Sequence, residues 1–111
     1  MDVFFGSVRL EKLLLSRKEL TRTYGAENAK VIKRRLDNLH IARNLEQARN
    51  LPGGLHALHG DRAGTFAIRL KGGLRLIIAP AAEPPPRKPD GGLDWNAIVA
   101  VVVIAVEDYH D

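Results

Sequence analysis

The sequence contains no cysteine. This absence excludes disulfide bonds, thiolate zinc sites and cysteine nucleophiles, and it is compatible with a reducing compartment. Aromatic residues make up only 5% of the chain, which argues against a surface of several exposed rings for stacking single-stranded nucleic acid. The longest apolar run, residues 97 to 106, is about half the length of a membrane helix, and the first residues do not resemble a signal peptide. We therefore expect a cytoplasmic protein with no membrane partner.

A length of 111 residues is enough for one domain, which we expect to span residues 1 to 111. Lys and Arg number 17 and Asp and Glu number 13, which gives a net charge of +4. Such a charge favours a polyanionic partner, although it is also ordinary for a small soluble domain.

The first half of the chain has helical periodicity. Ser16 and Glu19 match a capping box, which predicts that a second helix begins there, and Gly25 can end it. Apolar residues then recur every three or four positions as far as Asn50, where Leu51-Pro52-Gly53-Gly54 follows. The pattern predicts a short strand at residues 1 to 6, a helix at 8 to 15, a second helical segment from 16 to 25, and a long helix at 26 to 50.

The second half of the chain has the period of β-strands. Residues 65 to 70 and 74 to 78 alternate about the turn 71 to 73, which predicts a hairpin. Residues 80 to 94 hold five of the six prolines and predict an irregular, exposed insertion. Residues 95 to 106 are apolar on both faces, as in a strand inside a sheet. We predict an α+β fold with N-terminal helices packed on one face of a small, mostly antiparallel sheet.

The apolar run is followed at once by Glu107, Asp108, Tyr109 and His110. A buried strand would thus carry a hydrogen-bond acceptor, a phenol and an imidazole at its exposed end, where proton transfer is often arranged. The alternative is a polar tail that only aids solubility.

Two more histidines, His56 and His59, lie just before the hairpin. Two imidazoles three residues apart could bind a metal, but no third ligand is suitably spaced, so we expect no metal and no cofactor. His59 also fits a histidine that merely lies in a surface loop.

Three motifs in order carry a resemblance: His56-x-Leu58-x-Gly60-Asp61-Arg62-x-Gly64, Arg75-Leu76-Ile77, and Val106-Glu107-Asp108-Tyr109-His110. After a long helix rich in Ala, Leu and Arg, this arrangement resembles the HigB-type plasmid maintenance killer branch of the RelE/ParE toxin superfamily. Their order and spacing together, rather than any single motif, carry the resemblance.

The resemblance implies a RelE-like, microbial-ribonuclease-like fold and a toxin that cuts messenger RNA in the ribosomal A site. It also implies a cognate HigA-like helix-turn-helix antitoxin as partner. The family's site residues match His56, Arg75, Asp108, Tyr109 and His110. Where relatives place a lysine, this chain has His59, a poorer fixed counter-charge for phosphate.

The residues can also be assigned roles from chemistry. Metal-free RNA cleavage needs a base for the 2′-hydroxyl, cations for the phosphate, and an acid for the leaving 5′ oxygen. Asp108 can orient His110, because residues two apart on a strand project to the same side. His56 is then the second acid or base, and Arg75 the phosphate clamp. Which histidine is the base stays open.

Other residues are candidates for binding RNA. Tyr109 can contact substrate or be a structural ring, and Arg75 can instead form a salt bridge with Asp108 or Glu107. A basic helix face can dock ribosomal RNA or be simply solvated. The candidate RNA and phosphate-binding residues are His59, Arg62, Lys30, Lys33 and Arg34.

Two other functions compete with the endoribonuclease. One is a non-catalytic, ParE-like inhibitor of a protein target such as DNA gyrase, which would not need a clustered acid-base set. The other is a catalytically weakened toxin that acts mainly in autoregulation with its antitoxin, for which His59 is the only support.

Overall fold

The computed structural model describes residues 1 to 108. Helices precede most of the strands, and the predicted α+β class is confirmed. The elements are β1 (Asp2–Phe5), α1 (Val8–Leu15), α2 (Arg17–Tyr24), α3 (Ala26–Ile41), α4 (Leu45–Ala48), β2 (His56–Ala57), β3 (Phe66–Arg69), β4 (Leu74–Pro80) and β5 (Ala100–Asp108), with 3₁₀ turns at Gly60–Arg62 and Trp95–Ala97.

Within residues 1 to 108 the strands form one mixed sheet in the order β1-β5-β4-β3-β2. The prediction that the last strand is interior is confirmed, since β5 lies between β1 and β4. β1 runs parallel to β5, whereas the remaining neighbours are antiparallel. The β4–β5 register shifts between Ile77 and Ile78, so that Ile104 is an extra residue on β5, as in a β-bulge.

The first two helices begin at serine caps. The Ser7 hydroxyl accepts a hydrogen bond from the Leu10 amide at 3.0 Å, and the Ser16 hydroxyl accepts one from the Glu19 amide at 3.2 Å. Each hydroxyl satisfies a backbone donor that the first helical turn leaves unpaired. The predicted start of α2 at Ser16 is confirmed, and Gly25, with φ of 87°, ends that helix.

The prediction of one helix from residue 26 to 50 is wrong. α3 ends at Ile41, Ala42 is extended, and a separate short helix, α4, begins after Asn44. The Asn44 side chain accepts a hydrogen bond from the Gln47 amide at 2.8 Å, which caps the new helix. The Leu45 amide donates to the Ile98 carbonyl at 2.9 Å, so α4 is tied to the chain just before β5.

The predicted hairpin is confirmed, but the last strand begins later than predicted. Residues 95 to 97 form a 3₁₀ turn, and β5 begins at Ala100. The Trp95 ring packs edge-on against Phe66 with centroids 5.0 Å apart, and the Arg49 guanidinium lies 4.0 Å above the Trp95 ring. Most of the segment 80 to 94 is irregular and exposed, as predicted, apart from a bridge between Arg87 and Leu93.

The four helices share one core with a single face of the sheet, as predicted. The main core contains Leu14, Leu20, Ile32, Leu36, Leu39 and Leu45 from the helices and Phe66, Ile68, Leu76, Ile78, Val101 and Val103 from the strands. Side chains alternate along each strand, so the strand residues that lie between these core residues project from the other face of the sheet. We name that face the open face. It carries Asp2, Phe4, Ala67, Arg69, Arg75, Ile77, Ala79, Ala100, Val102, Ala105 and Glu107.

Candidate active site on the open face

A row of charged residues crosses one end of the open face. Arg69 of β3 lies opposite Arg75 of β4, and Arg75 lies opposite Glu107 of β5. Directly opposed residues on neighbouring strands project to the same side, so the three side chains lie next to one another. Arg69 is exposed, and Arg75 and Glu107 are half-buried. Two guanidinium groups and one carboxylate therefore line this end of the sheet.

His56 joins this row from strand β2. It lies opposite Ala67, which is two residues from Arg69 on the same strand and therefore on the same face. The His56 Nε2 atom is 3.3 Å from Arg69 Nη2. Because a guanidinium can only donate, a hydrogen bond between these two atoms requires Nε2 to act as the acceptor. The exposed His56 ring is thus oriented by a cation that can also bind an anion.

Arg62 reaches the row from the loop between β2 and β3. Its two terminal nitrogens donate to the two carboxylate oxygens of Glu107 at 2.8 and 2.7 Å, a bidentate ion pair. Because Glu107 lies on β5, two strands beyond β3, the Arg62 side chain reaches across the open face to make this contact. Ala67 and Ile77 are buried on that face. We refer to His56, Arg62, Arg69, Arg75 and Glu107 as the cationic end.

The structure gives no support, within residues 1 to 108, to the alternative in which Arg75 forms a salt bridge with Glu107, and the alternative pair with Asp108 stays open. Among the described residues, the ion pair to Glu107 comes from Arg62. Arg75 instead donates from Nη1 to the backbone oxygen of Leu74 at 3.0 Å. This hydrogen bond uses only one of the five N–H groups of a guanidinium. The planar fork of Arg75 thus retains donors that can bind phosphate.

Asp108 does not join the row. It lies opposite Leu74, and strand alternation directs it to the side of Leu76 and Val106, whereas Arg75 and Glu107 project from the open face. The structure therefore does not bring Asp108 together with His56 and Arg75, which the sequence hypothesis had grouped. The proposed catalytic residues Tyr109 and His110 lie outside the described residues.

The expected RNA-binding residues fall on two surfaces. Arg62 belongs to the cationic end, and exposed His59 precedes the turn Gly60–Arg62. Lys30, Lys33 and Arg34 are exposed on α3, which packs on the opposite side of the sheet. There they line a groove of about 380 Å³ whose other residues are Phe5, Leu14, Leu15, Arg17, Leu20, Ala29, Leu36, Asp37 and His40.

The charges of α3 are partly compensated within the helix. Lys33 forms an ion pair with Asp37 at 3.1 Å, one turn further along. Arg35 donates from Nε to the Arg69 backbone oxygen at 3.4 Å. Burial, and then the neighbouring charge of Arg34, lower the pKa of Arg35 below its ordinary value. The open face and the α3 groove are separate basic surfaces, because they lie on opposite sides of the sheet.

Arg69 and Glu107 are site residues that the sequence hypothesis missed. The alternation of the predicted hairpin gave a signal for Arg69, because it falls between the apolar residues Ile68 and Leu70 and projects to the other face. The hairpin register then places it beside Arg75. Glu107 had no comparable signal, because its partner Arg62 comes from a loop whose path the sequence does not specify.

Residues 1 to 108 contain no group of three or more His, Asp or Glu side chains arranged to hold a metal ion. In the same part of the chain, no helix has both the length and the apolar character needed to cross a membrane. The known proteins add no assignment: no protein-family model matches the chain, and no curated protein matches it significantly. The toxin resemblance therefore stays a prediction based on the three sequence motifs.

Proposed function

We propose that this chain is the toxin of a type II toxin-antitoxin system and acts as a ribosome-dependent mRNA endoribonuclease with a RelE-like fold. One observation supports this most: a histidine, three arginines and one glutamate lie in a row across a sheet face on which none of the four α-helices in residues 1 to 108 packs. Such a surface is suited to the phosphate of an RNA strand, because planar guanidinium groups bind phosphate through paired hydrogen bonds.

The proposed chemistry is metal-free transfer of the phosphate to the ribose 2′-hydroxyl. One histidine takes the 2′-hydroxyl proton, the arginines stabilise the charge that develops on the phosphate, and the other histidine protonates the departing 5′ oxygen. Arg75 and Arg69 are the phosphate ligands in this scheme. His56 and His110 are the acid and base, in an order that is left open, and Tyr109 orients the substrate.

In this proposal the α3 groove serves a different purpose from the open face. Lys30, Lys33 and Arg34 form a basic edge on the helical layer, on the other side of the sheet from His56 and Arg75. This edge would contact ribosomal RNA phosphates while the open face receives the messenger strand. A cytoplasmic location and control by a HigA-like antitoxin belong to the same proposal.

To test this proposal, the chain is expressed in bacteria alone and together with its antitoxin, and the ends of mRNA molecules are mapped in both cultures. We expect growth arrest and discrete mRNA breaks only without the antitoxin. Purified protein should cut mRNA on programmed ribosomes and leave naked RNA intact. Full growth with soluble wild-type protein would contradict the toxin. Growth arrest with intact mRNA and inhibited DNA supercoiling would instead indicate the gyrase-directed inhibitor.

Two controls separate the chemistry from folding and from metal. Arg75→Ala protein, shown by circular dichroism to be folded, should fail to cut. EDTA at a concentration that strips transition metals should not slow cutting, provided that magnesium is supplied in excess to keep ribosomes intact. Loss of cutting together with loss of stoichiometric zinc or manganese would reject the metal-free scheme.

A further inference from the structure

The open face has a second, apolar end that the proposed cleavage chemistry does not use. Phe4 of β1 lies opposite Val102 of β5, and Val102 lies opposite Ala79 of β4. The Phe4 ring is 53% exposed although it lies on a strand in the sheet, and the neighbouring bulge residue Ile104 is 42% exposed. Phe4, Val102, Ile104 and Ala79 are the apolar end.

The apolar end continues directly from the cationic end on the same face. Ala79 and Arg75 lie four residues apart on β4 and project to the same side. Four residues of strand span about 13 Å, and the two strand spacings from β4 to β1 add about 10 Å at a right angle. The Phe4 ring therefore lies roughly 16 Å from Arg75, which is too far for one nucleotide to touch both.

We propose that Phe4 holds a nucleobase of the RNA strand whose phosphate binds Arg75 and Arg69. An exposed phenyl ring offers a flat face on which any base can stack, while Val102 and Ile104 provide apolar contact beside it. A phenyl ring has no hydrogen-bonding group, so this subsite accepts any base. The inference rests on the proposed function, since it takes RNA as the ligand of the cationic end.

The size and position of the apolar end favour RNA over a second copy of this chain. A stable protein interface buries about 800 Å² on each partner, far more than one phenyl ring and two aliphatic side chains supply. The neighbouring cationic end has three arginines against one glutamate, so an anionic chain that crosses both ends gains contacts at each.

The test measures binding of a short single-stranded RNA by fluorescence anisotropy, in the absence of ribosomes. Phe4→Leu keeps an apolar residue in β1 and removes only the flat ring, so it should weaken binding about tenfold, and Phe4→Trp should restore or tighten it. Val8→Ala is the matched control, because Val8 is 66% exposed on α1 at the helical side of the sheet. It should leave binding unchanged.

Salt dependence and ligand length distinguish stacking from phosphate binding. Phe4→Leu should leave the slope of log affinity against log salt unchanged, whereas Arg75→Ala should reduce it by about one phosphate contact. Binding of a nucleoside monophosphate, which cannot span both ends, should weaken in Arg75→Ala and not in Phe4→Leu.

The outcomes separate this inference from the proposed function. If Arg75→Ala weakens RNA binding while folded Phe4→Leu binds like the wild type, the base subsite is rejected and the nuclease proposal stands. If the wild type binds no free RNA, or Arg75→Ala binds as well as the wild type, the cationic end is not a phosphate site and this inference fails with it, whereas the proposed function is judged separately by cutting on programmed ribosomes. If Phe4→Leu converts a sedimenting dimer to a monomer, the apolar end is a contact between copies and not a base subsite.

Discussion

The ion pair of Arg62 and Glu107 joins the loop between β2 and β3 to strand β5, which lies two positions from β3 in the sheet. Their bidentate contact at 2.7 and 2.8 Å connects residues 45 apart in the sequence. Each side chain remains about one third exposed, at 34% and 35%, so solvent screens the pair. The contact holds the loop over the open face and places a carboxylate among the arginines.

We expect this pair to have a measurable coupling free energy. In a double-mutant cycle of Arg62→Ala and Glu107→Ala, chemical denaturation should give a coupling of about 1 kcal/mol, above the median for exposed pairs because the geometry is bidentate. The exposed pair of Lys33 and Asp37 is a matched comparison and should give about 0.3–0.5 kcal/mol, as for helical pairs. Equal coupling in the two cycles would show that the loop is not held this way.

The site assignment makes a prediction about catalysis. His56→Gln, His110→Gln and Arg75→Ala should each reduce single-turnover cleavage on programmed ribosomes by roughly 10²-fold or more. Arg69→Ala should have an effect of similar size, because Arg69 contacts His56 and lies beside Arg75. The control is Arg9→Ala, an exposed cation on α1. If folded His56→Gln and folded His110→Gln each cleave RNA at the wild-type rate, the catalytic roles given to these two histidines are wrong.

His59→Lys tests the position at which the sequence departs from its resemblance. The exposed His59 precedes the turn that carries Arg62. A lysine there should leave the cleavage rate unchanged or raise it, because the permanent charge of an ammonium stabilises a phosphate better than an imidazole does. His40→Lys adds the same charge to exposed α3 and should have a smaller effect. Loss of cutting in His59→Lys would make His59 itself a candidate for proton transfer.

Gly53→Ala should be strongly destabilising for a steric reason. Gly53 has φ of 90°, and a Cβ atom there would lie 2.8 Å from Arg35 Nε and 2.9 Å from the Arg69 backbone oxygen. Gly64 has nearly the same φ, 91°, and open space around it. We expect Gly64→Ala to cost about 1 kcal/mol for the left-handed backbone alone, and Gly53→Ala to cost at least twice as much. Similar unfolding free energies for the two variants would contradict the close approach.

The burial of Tyr24 leads us to expect that the protein loses stability in alkaline solution. Burial raises the pKa of the Tyr24 phenol above its ordinary value of 10.0. The folded state therefore favours the neutral phenol. The contribution of Tyr24 to the free energy of unfolding is complete below the ordinary pKa and is lost as pH rises through the raised pKa. Tyr24→Phe should lose less stability than the wild type between pH 8 and pH 11 in denaturant titrations. Parallel curves for the two proteins would argue against this desolvation.

The spacing of apolar residues and the residues typical of turns were sufficient to predict the hairpin, the interior last strand and the packing of helices on one side of the sheet. Each of these depends on a local pattern in the sequence. The break after Ile41 was missed since Ala42, Leu45 and Ala48 are all buried, so the apolar period continues across it. Asn44, a common helix-capping residue, was the available signal. Within the candidate site, the pairing of Arg75 with Arg69 follows from the hairpin register. The contact of Arg62 with Glu107 does not, because it depends on a loop whose path the sequence does not specify.

The parallel pairing of β1 with β5 affects the order in which the protein can assemble during synthesis. Residues 2 to 5 are made about a hundred positions before residues 100 to 103, which are their strand partner in the described part of the chain. Contacts between such distant segments form slowly, because the intervening chain must first be ordered. Phe4 therefore cannot take its place beside Val102, and the open face cannot be completed, until β5 has been made. A nascent chain would thus have neither a finished cationic end nor a finished apolar end.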